Sequence, residues 1–460
     1  MADHFHNFHT KIQILANLNE NMVNSHFPEE HGHAAHCRRR RRQNGPTATS
    51  EIDTTTPEAG PSSKEGEEKG PPSIRPRLPL ELLELILRHL SKAELFHVLQ
   101  ANKALHSVAV RLLYRDLAIA SSDSEESTPA QAILSFLKGL LANNSVHKHV
   151  RKLDINLATI QCPTANFYRL LHRLLRGTPG LVVLGLDLPK SQSPVWILEG
   201  CAFKLRQFST SMHCTPELAR FLDSQDNIGH LTLRGFQHDA LRSLPFIYSG
   251  VPSPHSEDAS PSDQFTLKET SLPRLTCFNA IHAGPGVVKE VVRGRPVATA
   301  SIPLFSLNSL NALDALETSA TSLRRLSVIS FDPDAPTFIF EQVAKRFPEL
   351  EALHIVVLLA EFTNEQLLGA CRHLRAFKRL KYITCVATSS EESPAAVEQE
   401  IAEKWHQECR TLRTIILPRG RVWFQRPTRV CQRAISKGED DKKAVDRIGE
   451  VQGRWECLED

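Results

Sequence analysis

From Val146 onward the apolar positions fall into one recurring pattern, L-x-x-L-x-apolar. It reads Val150-Leu153-Ile155, Leu181-Leu184-Leu186, Leu205-Phe208-Thr210, Ile228-Leu231-Leu233 and Leu275-Phe278-Ala280. It continues as Leu323-Leu326-Val328, Leu350-Leu353-Ile355, Leu380-Ile383-Cys385 and Leu412-Ile415-Leu417, with a weaker copy at Val297-Ala300-Ile302. The last two positions, two residues apart, face one side of a short strand, and the first enters the same core from the preceding turn. Middle positions stand mostly about 23 to 32 residues apart, the period range of stacked repeats. Apolar residues at helical spacing occupy the intervals, as in Phe167–Leu175, Pro216–Leu222, Leu310–Leu316, Phe338–Phe347 and Pro394–Trp405. A strand-plus-helix unit leaves a face bare until the next unit stacks on it. The pattern therefore predicts an α/β chain, a curved solenoid over residues 146–430 with a parallel sheet on its inner side. Between Leu231 and Phe278 the interval is about twice the period, and it holds the Pro/Ser/Asp run of residues 249–264, which reads as a disordered insertion on a loop.

Ahead of the repeats, Leu78–Leu117 reads LPLELLELILRHLSKAELFHVLQANKALHSVAVRLLYRDL. Leu82, Leu83, Ile86, Leu87 and Leu90 follow helical spacing, Ser91 and Glu94 have the spacing of a capping box, and Leu95, Val98 and Leu99 belong to a second helix. A third carries Leu105, Val108, Leu112 and Leu113. Three short helices in about 40 residues cannot bury this much Leu unaided, so the unit needs a partner surface or the rest of its own chain.

These residues resemble an F-box, the helical module by which ubiquitin-ligase receptors dock on the Skp-type adaptor of a cullin scaffold. Leu78-Pro79-Leu80-Glu81, Ile86, Leu90, Leu95, Leu99 and the closing Leu113-Tyr114 carry the likeness. Asn102-Lys103 and Leu105 depart from the family's usual Cys-basic pair and aromatic. The repeats resemble the irregular leucine-rich repeats that follow F-boxes in many such receptors, although the Asn of regular repeats is mostly missing. The resemblance implies that Leu78, Pro79, Leu80, Glu81, Ile86, Leu90, Leu95 and Leu99 contact the adaptor, and that the array holds a protein target.

The remaining segments add less. Residues 1–73 are His-rich, then basic at Arg38–Arg42, then a Ser/Thr/Pro/Glu/Gly tract, and read as a disordered tail. Residues 74–120 form the helical module, 121–145 an acidic linker and a first helix, and 431–460 a polar tail with room for a cap helix. The Arg run fits a solvated tail or a nuclear-import signal, so residence is cytoplasmic, nuclear or both.

Composition narrows the chemistry. A net charge of +3 over 460 residues and four Trp with four Tyr argue against a nucleic-acid binder. The ten Cys include no CxxC pair and read as buried thiols in a reducing compartment, not as disulfides or zinc ligands. No secretory signal is evident at the start, and the longest apolar run, Ile355–Ala360, is too short to span a bilayer. There is no GxSxG, P-loop, HExxH or GxGxxG following a strand, so no catalytic, metal or cofactor site is expected. Arg419, Arg421 and Trp423 form an aromatic-basic cluster near the end of the array and are candidate target contacts. The expectation is a non-catalytic substrate receptor. The alternative is a repeat scaffold whose N-terminal helices only cap the solenoid.

Overall fold

The structure, a computed structural model, describes residues 78–120, 129–157, 163–189, 194–235, 265–306, 309–387, 394–425 and 455–458. The expected tail 1–73 and insertion 249–264 lie outside these residues.

The described residues open with three helices, α1 (Leu80–Leu87), α2 (Lys92–Val98) and α3 (Lys103–Leu113). Pro79 stands extended before α1, where a missing N–H costs nothing. The capping box expected at the second helix is present: Ser91 accepts from Glu94 N while the Glu94 carboxylate accepts from Ser91 N at 2.7 Å. Asn102 caps α3, its Oδ1 accepting from Leu105 N at 2.9 Å. Leu87, Leu95, Val108 and Ala109 form a small core of their own, with Leu90, Val98, Leu99, Leu105, Leu112 and Leu113 packed part-buried against it.

The sheet begins earlier than the repeat pattern predicted. Strand β1 (Asp116–Ala120) follows α3 after two residues, inside the 74–120 stretch, and pairs in parallel with β2 (Lys152–Asn156). Tyr114-Leu117-Ile119 thus has the spacing of a further repeat copy. An aromatic in its first position and the abutting helix hid it from the pattern.

Ten strands follow β1 in parallel, side by side in sequence order: β2, β3 (Val183–Asp187), β4 (Gln207–Thr210), β5 (His230–Leu233), β6 (Cys277–Ala280), β7 (Thr299–Leu304), β8 (Arg325–Ser330), β9 (Ala352–Val357), β10 (Tyr382–Ala387) and β11 (Thr414–Ile416). Register aligns the middle positions of every repeat copy in one column: Leu153, Leu184, Phe208, Leu231, Phe278, Ala300, Leu326, Leu353, Ile383 and Ile415. All ten are buried. Leu231 pairs directly with Phe278, so the doubled interval adds no strand to the sheet. The weak copy supplies a full strand, β7, in which Ala300 and Ile302 are buried.

Helices fill eight of the ten intervals among the described residues: α4 (Pro129–Ala142), α5 (Asn144–His147), α6 (Ala165–Gly177), α7 (Pro216–Asp223), α8 (Pro285–Val292), α9 (Ser309–Glu317), α10 (Ala335–Arg346), α11 (Asn364–Leu374) and α12 (Ala395–Glu408), while a 3-10 turn over Val195–Leu198 lies between β3 and β4. Their apolar stripes close on the Leu column, and one continuous core runs from Leu117 to Trp423. The result is a solenoid-like α/β array built on a mostly parallel sheet.

The far end departs from the repeat. Leu417–Gly420 forms a turn with Pro418 in its second position, and Gly420 takes φ +86°, where a side chain would be strained. The chain then returns as β12 (Val422–Gln425), antiparallel to β11. Residues 455–458, expected in a polar tail, form β13 (Trp455–Leu458) antiparallel to β12. No described helix is long and apolar enough to cross a membrane.

Candidate docking surface

Helix α1 is apolar on two sides, and the packing of α3 against it decides which side is hidden. Leu87 is buried in the module core, and Leu83, one turn before it, is half-buried. Leu82, Leu85 and Ile86, at the complementary i, i+3, i+4 spacing, face solvent together with Leu78 and Leu80 ahead of them. Phe96 on α2 is exposed as well. Six of the ten large hydrophobics exposed among the described residues thus lie within residues 78–96, each 45–56% exposed. Bringing the exposed half of one such side chain out of water is worth about 1 kcal/mol, so a partner covering all six gains several.

The residues expected to contact an adaptor divide on this basis. Leu78, Pro79, Leu80, Glu81 and Ile86 are exposed, and Glu81 lies in the first turn of α1, where a carboxylate complements the helix dipole. Leu95 is 5% exposed and belongs to the module core, so it cannot reach a partner. Leu90 and Leu99 pack part-buried against that same core. Leu82, Leu85 and Phe96 are exposed too, although they were not among the residues expected to contact the adaptor. The signal for the first two was present in their spacing, because a helix apolar on both sides requires covering on both.

The array has a second face, opposite the Leu column. Its middle row is small and polar: Gly185, Ser209, Thr232, Asn279, Ser301, Ser327, His354 and Thr384. Asn279 Nδ2 donates to Thr232 Oγ1 at 3.3 Å, while Asn279 Oδ1 and His354 Nδ1 are buried without a hydrogen-bond partner among the described residues. Burial first, and the Arg325 charge second, push the His354 imidazole down to about 4. Toward the C-terminal ends of β6–β10 the same face becomes apolar, with Ile329, Phe331, Val356 and Leu358 clustered apart from the main core. Phe305 and Phe331 stack there with ring centroids 5.2 Å apart.

The aromatic-basic cluster at the array's end is largely internal. Trp423, a candidate target contact, is 3% exposed, sits in the main core, and donates from Nε1 to Glu398 Oε2 at 3.3 Å. It therefore packs the terminal repeat and presents nothing to a target. Arg421 pairs with the buried Glu398 carboxylate at 3.3 Å, and Arg419 is exposed on the Leu417–Gly420 turn. Trp405 is also internal, donating from Nε1 to Leu367 O at 2.7 Å.

No group of three metal-ligating side chains occurs among the described residues. Burial pushes the Cys201 thiol up to about 11 and Cys214 up to about 12, and raises Cys385 further, so these three remain protonated and poorly nucleophilic. No family model and no curated protein matches the chain.

Proposed function

We propose that the chain is a non-catalytic substrate receptor of a cullin-type ubiquitin ligase. The apolar face of α1 and α2 docks on a Skp-type adaptor, the strand-plus-helix units act as irregular leucine-rich repeats, and the array holds a protein target for modification by the assembled ligase. The receptor's contribution to rate is then proximity, with the chemistry supplied by other subunits. One observation carries the reading: a module too small to bury its Leu leaves six large apolar side chains in solvent although it has a core of its own.

Co-expression with a Skp-type adaptor tests it. The full chain should co-elute with the adaptor as a one-to-one complex, and Ile86→Asp with Phe96→Asp should abolish co-elution while the melting temperature holds.

A cap role for the helices has one observation in its favour. The chain passes from α3 to β1 after two residues, with Tyr114 packed on the array core and Lys92 Nζ donating to Asp116 O at 3.1 Å. A cap, however, turns its apolar side toward the array, and this module turns it toward solvent. The same double variant separates the readings, since a pure cap has no adaptor to lose.

A further inference from the structure

Where the helical module meets the first repeats, a cleft of about 580 Å³ opens, within the size range of ligand pockets. From the module side it is lined by Arg88, Arg111 and Arg115. From the array side Lys148, Arg151, Lys152 and Arg206 face them. Against these seven cations stand two carboxylates, Glu84 and Asp116, so the cleft carries a net charge of +5 while the whole chain carries +3. Glu84 is already engaged by Arg88 at 2.6 Å. Among the described residues, no carboxylate lies within ion-pair distance of Arg111, Arg115, Lys148, Lys152 or Arg206, although Arg111 and Arg115 join Arg88 in holding the Glu84 carboxyl below its ordinary range. Like charges converging from two bodies repel across the joint until an anion lies between them.

The cations are set in order by the fold. Arg115, Arg151, Val182 and Arg206 precede successive strands, joined by backbone hydrogen bonds of 2.8 Å from each N–H to the carbonyl of the previous member. Neighbouring strands lie about 4.8 Å apart, so this row spans roughly 14 Å, more than a single phosphate can bridge. Arg151 is held by donation from Nη1 to Gly180 O at 2.8 Å, and a Cβ at position 180 would collide with that guanidinium. The local potential is felt by His149, whose imidazole is held below its ordinary range by burial first, then by Lys148, Arg111 and Arg151.

From this geometry we propose that the cleft is a binding site for a ligand bearing clustered phosphates, which ties the helical module to the array. Five of the seven cations are Arg, whose planar fork matches two oxygens of one phosphate. The clustered phosphates can come from a free polyphosphate or from a multiply phosphorylated polypeptide. The proposal does not rest on the docking reading, because none of the six exposed apolar residues of the module lines the cleft.

Calorimetric titration of the full chain with inorganic tripolyphosphate tests it. Saturable one-to-one binding is expected, with citrate, which carries three carboxylates, at least tenfold weaker. Lys148→Ala, Lys152→Ala and Arg206→Ala together should weaken tripolyphosphate at least tenfold with the melting temperature unchanged, since all three side chains are exposed. The same number of cations removed at the far end of the array, by Lys381→Ala, Arg410→Ala and Arg413→Ala, should leave binding intact. Non-saturable binding, equal weakening by the two triple variants, or citrate binding as well as tripolyphosphate would overturn the proposal. Displacement of tripolyphosphate by a peptide with two phosphoserines supports the site with a modified polypeptide as the source. Tripolyphosphate binding that resists the peptide supports it with a free polyphosphate.

Discussion

The helical module and the repeat array treat the same residue type in opposite ways. In the array, Leu and its equivalents form a column of ten middle positions, all buried, because each strand-plus-helix unit finds its missing face on the next unit. In the module, three helices bury Leu87, Leu95, Val108 and Ala109 and leave Leu78, Leu80, Leu82, Leu85, Ile86 and Phe96 exposed. Unit size explains the difference. A stack grows until its core closes, whereas about 40 residues have too much surface for their volume. Exposed Leu in the module is thus the complement of buried Leu in the array, and six of the ten large hydrophobics exposed among the described residues belong to the module.

The largest effect is expected in the array column. Phe278→Ala deletes a fully buried ring and should cost about 3–5 kcal/mol, read as a lowered denaturant midpoint for the whole array. The adjacent pair Leu95 and Phe96 sharpens the contrast within one helix. Leu95→Ala, in the module core, should cost about 2–4 kcal/mol of module stability, whereas Phe96→Ala should change stability by under about 0.5 kcal/mol and weaken adaptor binding at least tenfold. Equal effects of the two on stability would place Phe96 inside.

Acid should act on the array through His354. Unfolded, its imidazole takes a proton near pH 6.5, but in the array it does so only near pH 4, so stability falls as pH drops across that window and levels off below it. The loss approaches about 3 kcal/mol, the free energy of a shift of that size. His354→Gln should flatten this part of the stability–pH curve. Smallest is the cap of α2: Ser91→Ala should cost about 1 kcal/mol, seen as faster amide exchange in the first turn of that helix.

Much of the array was legible in sequence because its physics is local and repeated. A residue pair two apart must share a strand face, and the period fixes how strands stack, so even the degenerate Val297-Ala300-Ile302 marks β7. Features depending on long-range packing were not legible. Which apolar sides of α1 and α2 turn inward is set by α3, on which both pack, and this is why Leu95 was expected at a partner while Leu85 and Phe96 were missed. Trp423 read as a contact anchor because its partner, the buried Glu398, lies 25 residues earlier on another element. The basic cleft is spread over α1, α3 and three strand entrances, and no window of sequence contains it.

The most direct test of the account is co-elution of the full chain with a Skp-type adaptor in size-exclusion chromatography with light scattering, for the parent and for Ile86→Asp with Phe96→Asp. The account predicts a one-to-one complex for the parent and separate elution of a folded double variant. A parent chain that elutes alone, or a complex that survives both substitutions, would contradict it.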